Sequence, residues 1–295
     1  MRLGYVAGMT IVGRVLEIWR YPVKSMAGES LARAAIGRQG IAGDRGWALR
    51  DEAAAEIRGA KKMPVLMRCA ARYDAEPAGE AMPPVTMTLP DGATVRSGDA
   101  DAAARLSALT GRSLTLWPRL PAARADHYRR GLPDDPDFET ELRQIFGRLP
   151  EEPLPDLSVL PPELFEYTSP LGTYFDVAPL HVLTTASLAT LSAGAPGAAF
   201  DRRRFRPNIL VETTAGAVGL AENDWCGRSL RIGRVEIAVT IPAMRCSMIT
   251  QAVGELPKDP SVLRTVVRDA NQNLGVYADV AQAGAVAVGD LVELG

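Results

Sequence analysis

The sequence has few cysteines and histidines, the residues that form disulfides and most zinc sites. Its three cysteines, Cys69, Cys226 and Cys246, are widely spaced and form no C-x-x-C pair. Its two histidines are His127 and His181. An odd number of separated cysteines argues against a disulfide framework and a zinc site of the paired-cysteine type. Two histidines are too few for a histidine-built metal centre.

Long hydrophobic runs and an excess of one charge are also lacking. No run approaches the roughly 18 apolar residues that span a bilayer, and the start, MRLGYVAGMTIVG, has no sustained apolar stretch of the signal-peptide type. The 33 Lys and Arg residues nearly balance 35 Asp and Glu, which gives a net charge of −2. We therefore expect a cytoplasmic protein with no nucleic-acid or membrane partner.

The length and composition predict a two-domain globular protein of mixed α/β, β-rich class. The chain has 295 residues, against a prior of about 150 residues per domain, and its 47% hydrophobic and 23% charged content is ordinary. Residues 13–120 have the pattern of a first, barrel-like domain. The elements predicted there are a strand at 15–19, a hairpin at 85–96 around Pro90-Asp91-Gly92, and a helix at 102–110 capped by Gly111.

A proline-rich connector follows at residues 121–165. Nine of the 22 prolines fall between 118 and 162, and proline disfavours both helix interiors and sheet ladders. The connector is predicted to be mostly loop, with one short helix at 139–146. We interpret it as a tether between domains, with a lid over a site as the alternative.

Residues 166–295 are predicted to form a second β-barrel domain. Val235 to Ile241 alternate apolar and other residues, the period of a half-buried strand. Helices are predicted from Ser187 and from Ser261, and a strand pair is predicted around Gly289-Asp290.

Cys246 is the first candidate for chemistry, because it follows the end of the alternating strand and has Arg245 beside it. A neighbouring guanidinium stabilises a thiolate, and a thiol at a strand end is accessible. The alternative is a small buried hydrophobe, the usual state of a free cysteine. Cys69 lies in the apolar run VLMRCAA and is predicted to be in the core, and Cys226 is interpreted as a packing or turn residue.

Several basic segments are candidates for binding an anion. The run DRRRFRPN contains Arg202, Arg203, Arg204 and Arg206 before Asn208, and arginine forks suit phosphate. Lys24 and Ser25 in YPVKS, and Asp44, Arg45 and Trp47 in GDRGW, stand at predicted strand edges. Solvated surface charge is the alternative for each segment. The chain has no P-loop, G-x-G-x-x-G or G-x-S-x-G motif, so the residues alone predict an anionic ligand or cofactor together with a reactive thiol.

Taken in order, these motifs resemble the MOSC family, named for the C-terminal domain of molybdenum cofactor sulfurase. The chain is similar to the two-lobed branch that includes the mitochondrial amidoxime-reducing component and its bacterial relatives. The resemblance runs from about Gly13 to Leu294. It rests on YPVKS, GDRGW, LTTASL, FRPNI, the Asp224-Trp225 pair, Arg245-Cys246, LGVY and GAVAVGDLVEL.

The resemblance implies a molybdenum cofactor site between a MOSC N-terminal β-barrel domain and a MOSC domain. In that site Cys246 is the protein thiolate on molybdenum. The residues implied to hold the pterin and its phosphate are Lys24, Ser25, Arg45, Arg206 and Asn208, with Thr184 nearby and Arg245 beside the thiolate. Met244 departs from the family pattern, because the reductase relative has a small polar residue there.

The implied activity is reduction of N-hydroxylated or N-oxide compounds. Electrons are expected from a separate ferredoxin-like or cytochrome b5-like protein, because the chain ends at Gly295 without an appended ferredoxin-like domain. Two alternatives remain open: sulfur transfer through a Cys246 persulfide, and a non-catalytic carrier of the cofactor. A hydrolase pairing Cys246 with His181 is the weakest alternative. A basic cleft between the lobes is the expected electrostatic consequence.

Overall fold

The computed structural model describes residues 8–79 and 81–295. Residues 1–7, which begin the stretch where no signal peptide is predicted, lie outside these ranges. No helix within them is long and apolar enough to cross a membrane. The β-rich mixed α/β class predicted from the sequence is confirmed.

The strands are β1 (Thr10–Arg20), β2 (Glu29–Leu31), β3 (Arg33–Gly37), β4 (Gly40–Ile41), β5 (Trp47–Asp51), β6 (Glu56–Arg58), β7 (Ala70–Tyr73), β8 (Val85–Thr88), β9 (Thr94–Arg96), β10 (Leu114–Pro118), β11 (Leu180–Thr184), β12 (Ile209–Thr213), β13 (Ser229–Ile232), β14 (Val235–Met244), β15 (Asn273–Gln282), β16 (Gly284–Ala287) and β17 (Leu291–Leu294). The helices are α1 (Ala102–Thr110), α2 (Ala125–Tyr128), α3 (Phe138–Phe146), α4 (Thr185–Gly194), α5 (Arg202–Phe205) and α6 (Pro260–Asp269). Short 3-10 helices cover Pro64–Arg68, Leu157–Val159, Pro162–Phe165, Ala221–Trp225 and Ser247–Thr250.

A closed barrel of seven strands forms the centre of the second half of the chain. Its order is β12-β11-β15-β14-β13-β17-β1, and pairing of β1 with β12 closes the ring. The period-2 pattern of β14 explains its place, because Val235, Ile237 and Val239 are buried in the barrel core. Closure leaves no free edge between these seven strands.

The first half of the chain contributes directly to this barrel. β1 runs antiparallel to both β12 and β17, and β2 pairs antiparallel with β1. β3 pairs with β16 from the end of the chain. The two halves are therefore joined by shared sheets as well as by the connector.

The remainder of the first half forms two small sheets, β7-β8-β9 and β10-β5-β6. The predicted hairpin is present as β8 and β9, and the predicted helix as α1, which ends at Gly111 in the left-handed conformation (φ 71°). Cys69 is fully buried in the methionine-rich core beneath these sheets, as predicted.

The helices α4 and α6 cover one side of the barrel and enclose a second hydrophobic core. α4 and α6 confirm the helices predicted from Ser187 and Ser261, and Val262, Leu263 and Val266 of α6 are buried there. The strands predicted around Gly289-Asp290 are present as β16 and β17, but the pairing is different. β16 pairs with β3, and β17 pairs with β1 and β13, while Val286 of β16 and Val292 of β17 are buried in the same core.

The proline-rich connector contains the predicted helix as α3, with Asp137 as its N-cap and Gly147 as its C-cap. It contains α2 and two short 3-10 helices as well. The segment folds back over the barrel end, so that several of its apolar side chains line the cavity described next.

Candidate functional site

A cavity of about 450 Å³ lies where the first half of the chain, the connector and the barrel end meet. Cavities at such junctions are common sites for small ligands. All but one of the site residues expected from the resemblance line it, although they come from distant parts of the chain. They are Lys24, Ser25, Arg45, Arg206, Asn208, Arg245 and Cys246.

Cys246 lies directly after β14 and begins the 3-10 helix Ser247–Thr250, with its side chain half-buried on the cavity wall. Arg148 of the connector fixes this turn from behind. Its Nη2 donates to the carbonyl of Arg245 at 3.1 Å, and Ser247 Oγ donates to the carbonyl of Ile145 at 2.9 Å. The thiol therefore stands on a turn held by both the barrel and the connector.

Arg45 is held in a network that surrounds the amide of Asn208. Asp44 pairs with Arg45 and accepts from Asn208 Nδ2 at 3.0 Å. Asn208 Nδ2 also donates to the carbonyl of Trp19, and its Oδ1 accepts from Arg45 Nη1 and from the main-chain nitrogen of His181. These four hydrogen bonds use the capacity of the amide. Asn208 therefore positions Arg45 and Asp44, and its amide is not left free to bind a ring.

Arg206 and Arg245 line the cavity, and no carboxylate of the described residues is bonded to either of them. Arg206 donates to the carbonyl of Met26 and stacks on the ring of Tyr21, 4.2 Å from its centroid. Burial, together with the neighbouring Arg45, lowers the pKa of Arg206 to about 10, so it remains a cation at neutral pH. Arg245 donates to the carbonyl of Phe205, while its buried Nε has no partner among the described residues.

Three residues on the cavity wall have a backbone conformation that non-glycine residues rarely adopt. Ser25, Arg45 and Arg206 all adopt the left-handed conformation, with φ of 72°, 48° and 56°. Such a conformation costs a non-glycine residue energy that surrounding contacts must offset. Ser25 Oγ accepts from the nitrogen of Ala60 at 2.9 Å, and a Cβ on Gly59 would lie 2.5 Å from that oxygen. Glycine at 59 is thus required by the close approach of Ser25.

Lys24 reaches the cavity through an ion pair that the sequence did not indicate. Its Nζ donates to Asp176 Oδ1 and to the carbonyl of Tyr174, both at 2.8 Å. Lys61 lies 4.0 Å from the same carboxylate. Partial burial raises the pKa of Asp176, but the two ammonium groups outweigh it and hold that pKa well below its usual range. Burial lowers the pKa of Lys24, and Asp176 opposes the shift.

Thr184 lies away from the cavity wall. It caps α4 by accepting from the nitrogen of Ser187, and its hydroxyl donates to the fully buried Glu222. Thr184 of the LTTASL segment thus links the start of α4 to Glu222.

The arginine run is divided between different tasks. Arg202 pairs with Glu17, and Arg203 pairs with Asp201 and Glu255 on the surface. Arg204 is fully buried and donates to four carbonyls. The segment forms the short helix α5, and the expectation that several of its arginines bind one anion reduces to Arg206.

The structure adds further charged residues to those predicted from the sequence. The basic residues on the cavity wall are Lys24, Arg45, Arg58, Lys61, Lys62, Arg130, Arg204, Arg206 and Arg245, and the acidic ones are Glu56, Glu141 and Asp176. Nine basic residues against three acidic ones, in a chain of net charge −2, give the basic cleft expected from the sequence. The Lys61-Lys62 pair is the sequence signal that could have indicated the missing cations.

His181 and Tyr277 complete the wall behind Cys246. Their rings are 5.8 Å apart, and His181 Nε2 lies 3.5 Å from Arg245 Nη1. Burial, followed by the charge of Arg245, holds the pKa of His181 well below its usual range, so its imidazole is neutral. Burial raises the pKa of Tyr277, which keeps its phenol protonated. The LGVY motif supplied the signal for Tyr277.

Among the described residues, no group of three or more His, Cys, Asp or Glu side chains could hold a metal ion. A metal at Cys246 would therefore need ligands that the protein does not supply. The arrangement suits a metal carried by an anionic organic cofactor, with a soft thiolate as the one protein ligand.

Comparison with known families and structures gives two kinds of match. The family model described as MOSC domain matches residues 172–293, and the one described as MOSC N-terminal beta barrel domain matches residues 12–110. No curated protein matches the chain. The YuaD protein of Bacillus subtilis aligns over 97% of this chain and 98% of its own, at 11% identity and a TM-score of 0.41. YiiM of Geobacillus stearothermophilus aligns over 40% of this chain and 54% of its own, at 20% identity and a TM-score of 0.30.

Proposed function

Because the chain belongs to the MOSC family and joins a MOSC N-terminal beta barrel domain to a MOSC domain, we propose that it binds the molybdenum cofactor and reduces N-hydroxylated or N-oxide compounds. One observation carries the proposal. A thiol, Cys246, shares a cavity with two buried guanidinium groups, Arg206 and Arg245, that donate to carbonyls instead of carboxylates.

The residues present fit an anionic cofactor. The buried Nε of Arg245 lacks a partner among the described residues, and a buried unpaired donor costs about 1–3 kcal/mol. A bound phosphate or pterin oxygen would remove that cost. Arg45 and Arg206 would hold the phosphate, with Lys24 and the Ser25 hydroxyl as further donors, and Cys246 would provide the thiolate for the metal.

The chemistry that the cofactor supplies when bound is two-electron oxygen-atom transfer. The overall reaction is R–NHOH + 2 e⁻ + 2 H⁺ → R–NH₂ + H₂O, in which the N–O bond breaks and oxygen leaves as water. The electrons would come from a separate ferredoxin-like or cytochrome b5-like protein, and an N-oxide would follow the same balance.

The residues of the chain have distinct tasks in this reaction. Arg148 and the Asn208 network hold the Cys246 turn and Arg45 in place before any ligand arrives, which preorganises the site. The phenol of Tyr277 remains protonated because burial raises its pKa, and it would donate a hydrogen bond at Oη to the departing oxygen. Neutral His181 adds no charge near Arg245.

The test is metal and pterin analysis of the protein purified from a host that makes the cofactor. Wild type should contain near-stoichiometric molybdenum and pterin, and Cys246→Ser should lose the molybdenum. Cys226→Ser is the matched control, because Cys226 packs against the barrel core and does not line the cavity. Reductase activity on an amidoxime, with reduced viologen as electron donor, should follow the molybdenum content.

Molybdenum in Cys246→Ser at the wild-type level would contradict the role of the thiolate. Absence of molybdenum and pterin from wild type, alongside a loaded control enzyme, would contradict the proposal as a whole. A sulfur adduct on Cys246 in that protein, seen by mass spectrometry, would then favour sulfur transfer. Stoichiometric cofactor without turnover would instead favour a carrier.

A further inference from the structure

The cavity has two sides of opposite chemistry, and the proposed function uses only one of them. The side formed by the first half of the chain and the barrel carries Cys246 and the basic groups. The side formed by the connector is apolar. Its main contributors are Leu132, Phe138, Leu142, Ile145, Leu160 and Leu164.

The apolar side has little to offer a charged or polar ligand. Of its two charged side chains, Glu141 pairs with Lys62, and Arg130 donates its Nε to the carbonyl of Leu164 at 2.8 Å. The other contributors named above are hydrocarbon side chains, so a phosphate or the polar edge of a pterin placed against them would lose hydrogen bonds to water and gain none. The chemistry of this side therefore fits an apolar occupant.

The same side is exposed at its outer edge. Leu132 is 87% exposed and Phe138 is 62% exposed, although both are large apolar residues beside a concave site. Clustered apolar exposure of this kind is typical of a surface that receives a ligand.

Ion pairs fix the apolar side in place. Asp134 pairs with Arg58 Nη2 at 2.7 Å and with Lys62 Nζ at 3.1 Å, and Glu141 at the start of α3 pairs with Lys62. At the other end of α3, Ser247 Oγ donates a hydrogen bond to the carbonyl of Ile145. The connector therefore forms a preformed wall that lines the same cavity as the thiol and contacts the Cys246 turn.

We infer that this connector wall is the binding site for the apolar body of the substrate, and that it selects N-oxygenated compounds with an aryl or alkyl group over small polar ones. The inference rests on the proposed function, because it places the group to be reduced toward Cys246 and the rest of the molecule against Leu142 and its neighbours. Burying a methylene is worth about 0.8 kcal/mol, which is about fourfold in affinity.

The experiment separates binding from turnover. Binding of 4-alkylbenzamides, from methyl to butyl, is measured by calorimetry on the cofactor-loaded protein, because these amides have no N–O bond to reduce. Turnover of the matching 4-alkylbenzamidoximes is measured with reduced viologen. We expect affinity and kcat/KM to rise about two- to fourfold with each methylene. Leu142→Gln should remove most of the rise.

Leu149→Gln is the matched control, because Leu149 is an exposed connector leucine outside the cavity. It should keep the wild-type dependence on chain length. Glutamine suits a helix nearly as well as leucine does, so Leu142→Gln is expected to fold, and circular dichroism checks this. The cofactor content of both variants is measured in the same preparations.

Each outcome has a separate meaning. If the benzamides bind with the expected dependence but no benzamidoxime is reduced, the wall is supported and the proposed reduction fails. If benzamidoximes are reduced with no dependence on chain length, the reduction is supported and the wall is overturned. The wall is also overturned if Leu142→Gln retains the full dependence, or if benzamides bind only after the cofactor is removed.

Discussion

The amide of Asn208 is the side chain whose loss should disturb this site most clearly. Asn208→Ala removes hydrogen bonds to the nitrogen of His181, the carbonyl of Trp19, Asp44 and Arg45. Asp44 and Arg45 remain paired with each other, so the main loss falls on the two main-chain groups and one carboxylate lone pair.

At about 1–3 kcal/mol for each buried group left unpaired, the two main-chain groups lead us to expect that Asn208→Ala lowers the free energy of unfolding by about 2–6 kcal/mol. The assay is equilibrium unfolding in urea, followed by tryptophan fluorescence and by circular dichroism. A loss of this size is a large part of the stability of an ordinary domain.

Asn223→Ala is the matched control for this substitution. The Oδ1 of Asn223 is buried without a hydrogen-bond partner among the described residues, so its removal should cost less than about 1 kcal/mol. If Asn208→Ala were no more destabilising than Asn223→Ala, the network around Arg45 would not be the organising feature that its geometry indicates.

Two further predictions concern the backbone and the charges of the cavity. Gly59→Ala should displace Ser25 and lower the free energy of unfolding by about 1–3 kcal/mol. Gly37→Ala is the control: a Cβ at residue 37 would meet open space, so this change should alter the free energy of unfolding by less than about 1 kcal/mol. Unfolding in urea measures both variants, and equal effects would refute the steric argument. Lys24 and Lys61 depress the pKa of Asp176 below its usual value of 3.8. The ionised carboxylate therefore stabilises the fold above pH 3.8, and this contribution is lost as the pH falls further. Unfolding curves from pH 6 to pH 3 should therefore show wild type losing more stability than Asp176→Asn, and parallel losses would contradict the pairing.

Elements with strong local signals were predictable from the sequence. The alternation in β14, the turn at Pro90-Asp91-Gly92 and the Gly111 cap each follow from a few neighbouring residues, and each is present. Cys69 was predictable because an apolar run surrounds it.

Pairings between distant segments were not predictable in the same way. β16 and β17 are close in sequence, yet each pairs with strands from elsewhere, and no local pattern specifies such partners. Asp176 also lacks a local signal, because its importance comes from Lys24, which is far away in the chain.

The site residues show a similar division. Motifs identified Arg45, Arg206 and Cys246, all of which line the cavity. The same reasoning did not distinguish an arginine that faces a ligand from Arg204, which holds carbonyls, since that difference arises from the α5 turn. Thr184 was placed near the site only because the family resemblance implied it, and its hydroxyl donates to Glu222 instead.

The pairing of β1 with β17 affects how the protein can be synthesised. Thr10 of β1 lies opposite Leu294 of β17, so β1 cannot complete its ladder until β17, which lies far along the chain, has been synthesised. Until then the barrel lacks a member, and unpaired strand edges invite association with other chains. Removal of β17 should therefore leave edges of both β1 and β13 unpaired. Closure of this part of the barrel depends on two strands that are far apart in the sequence.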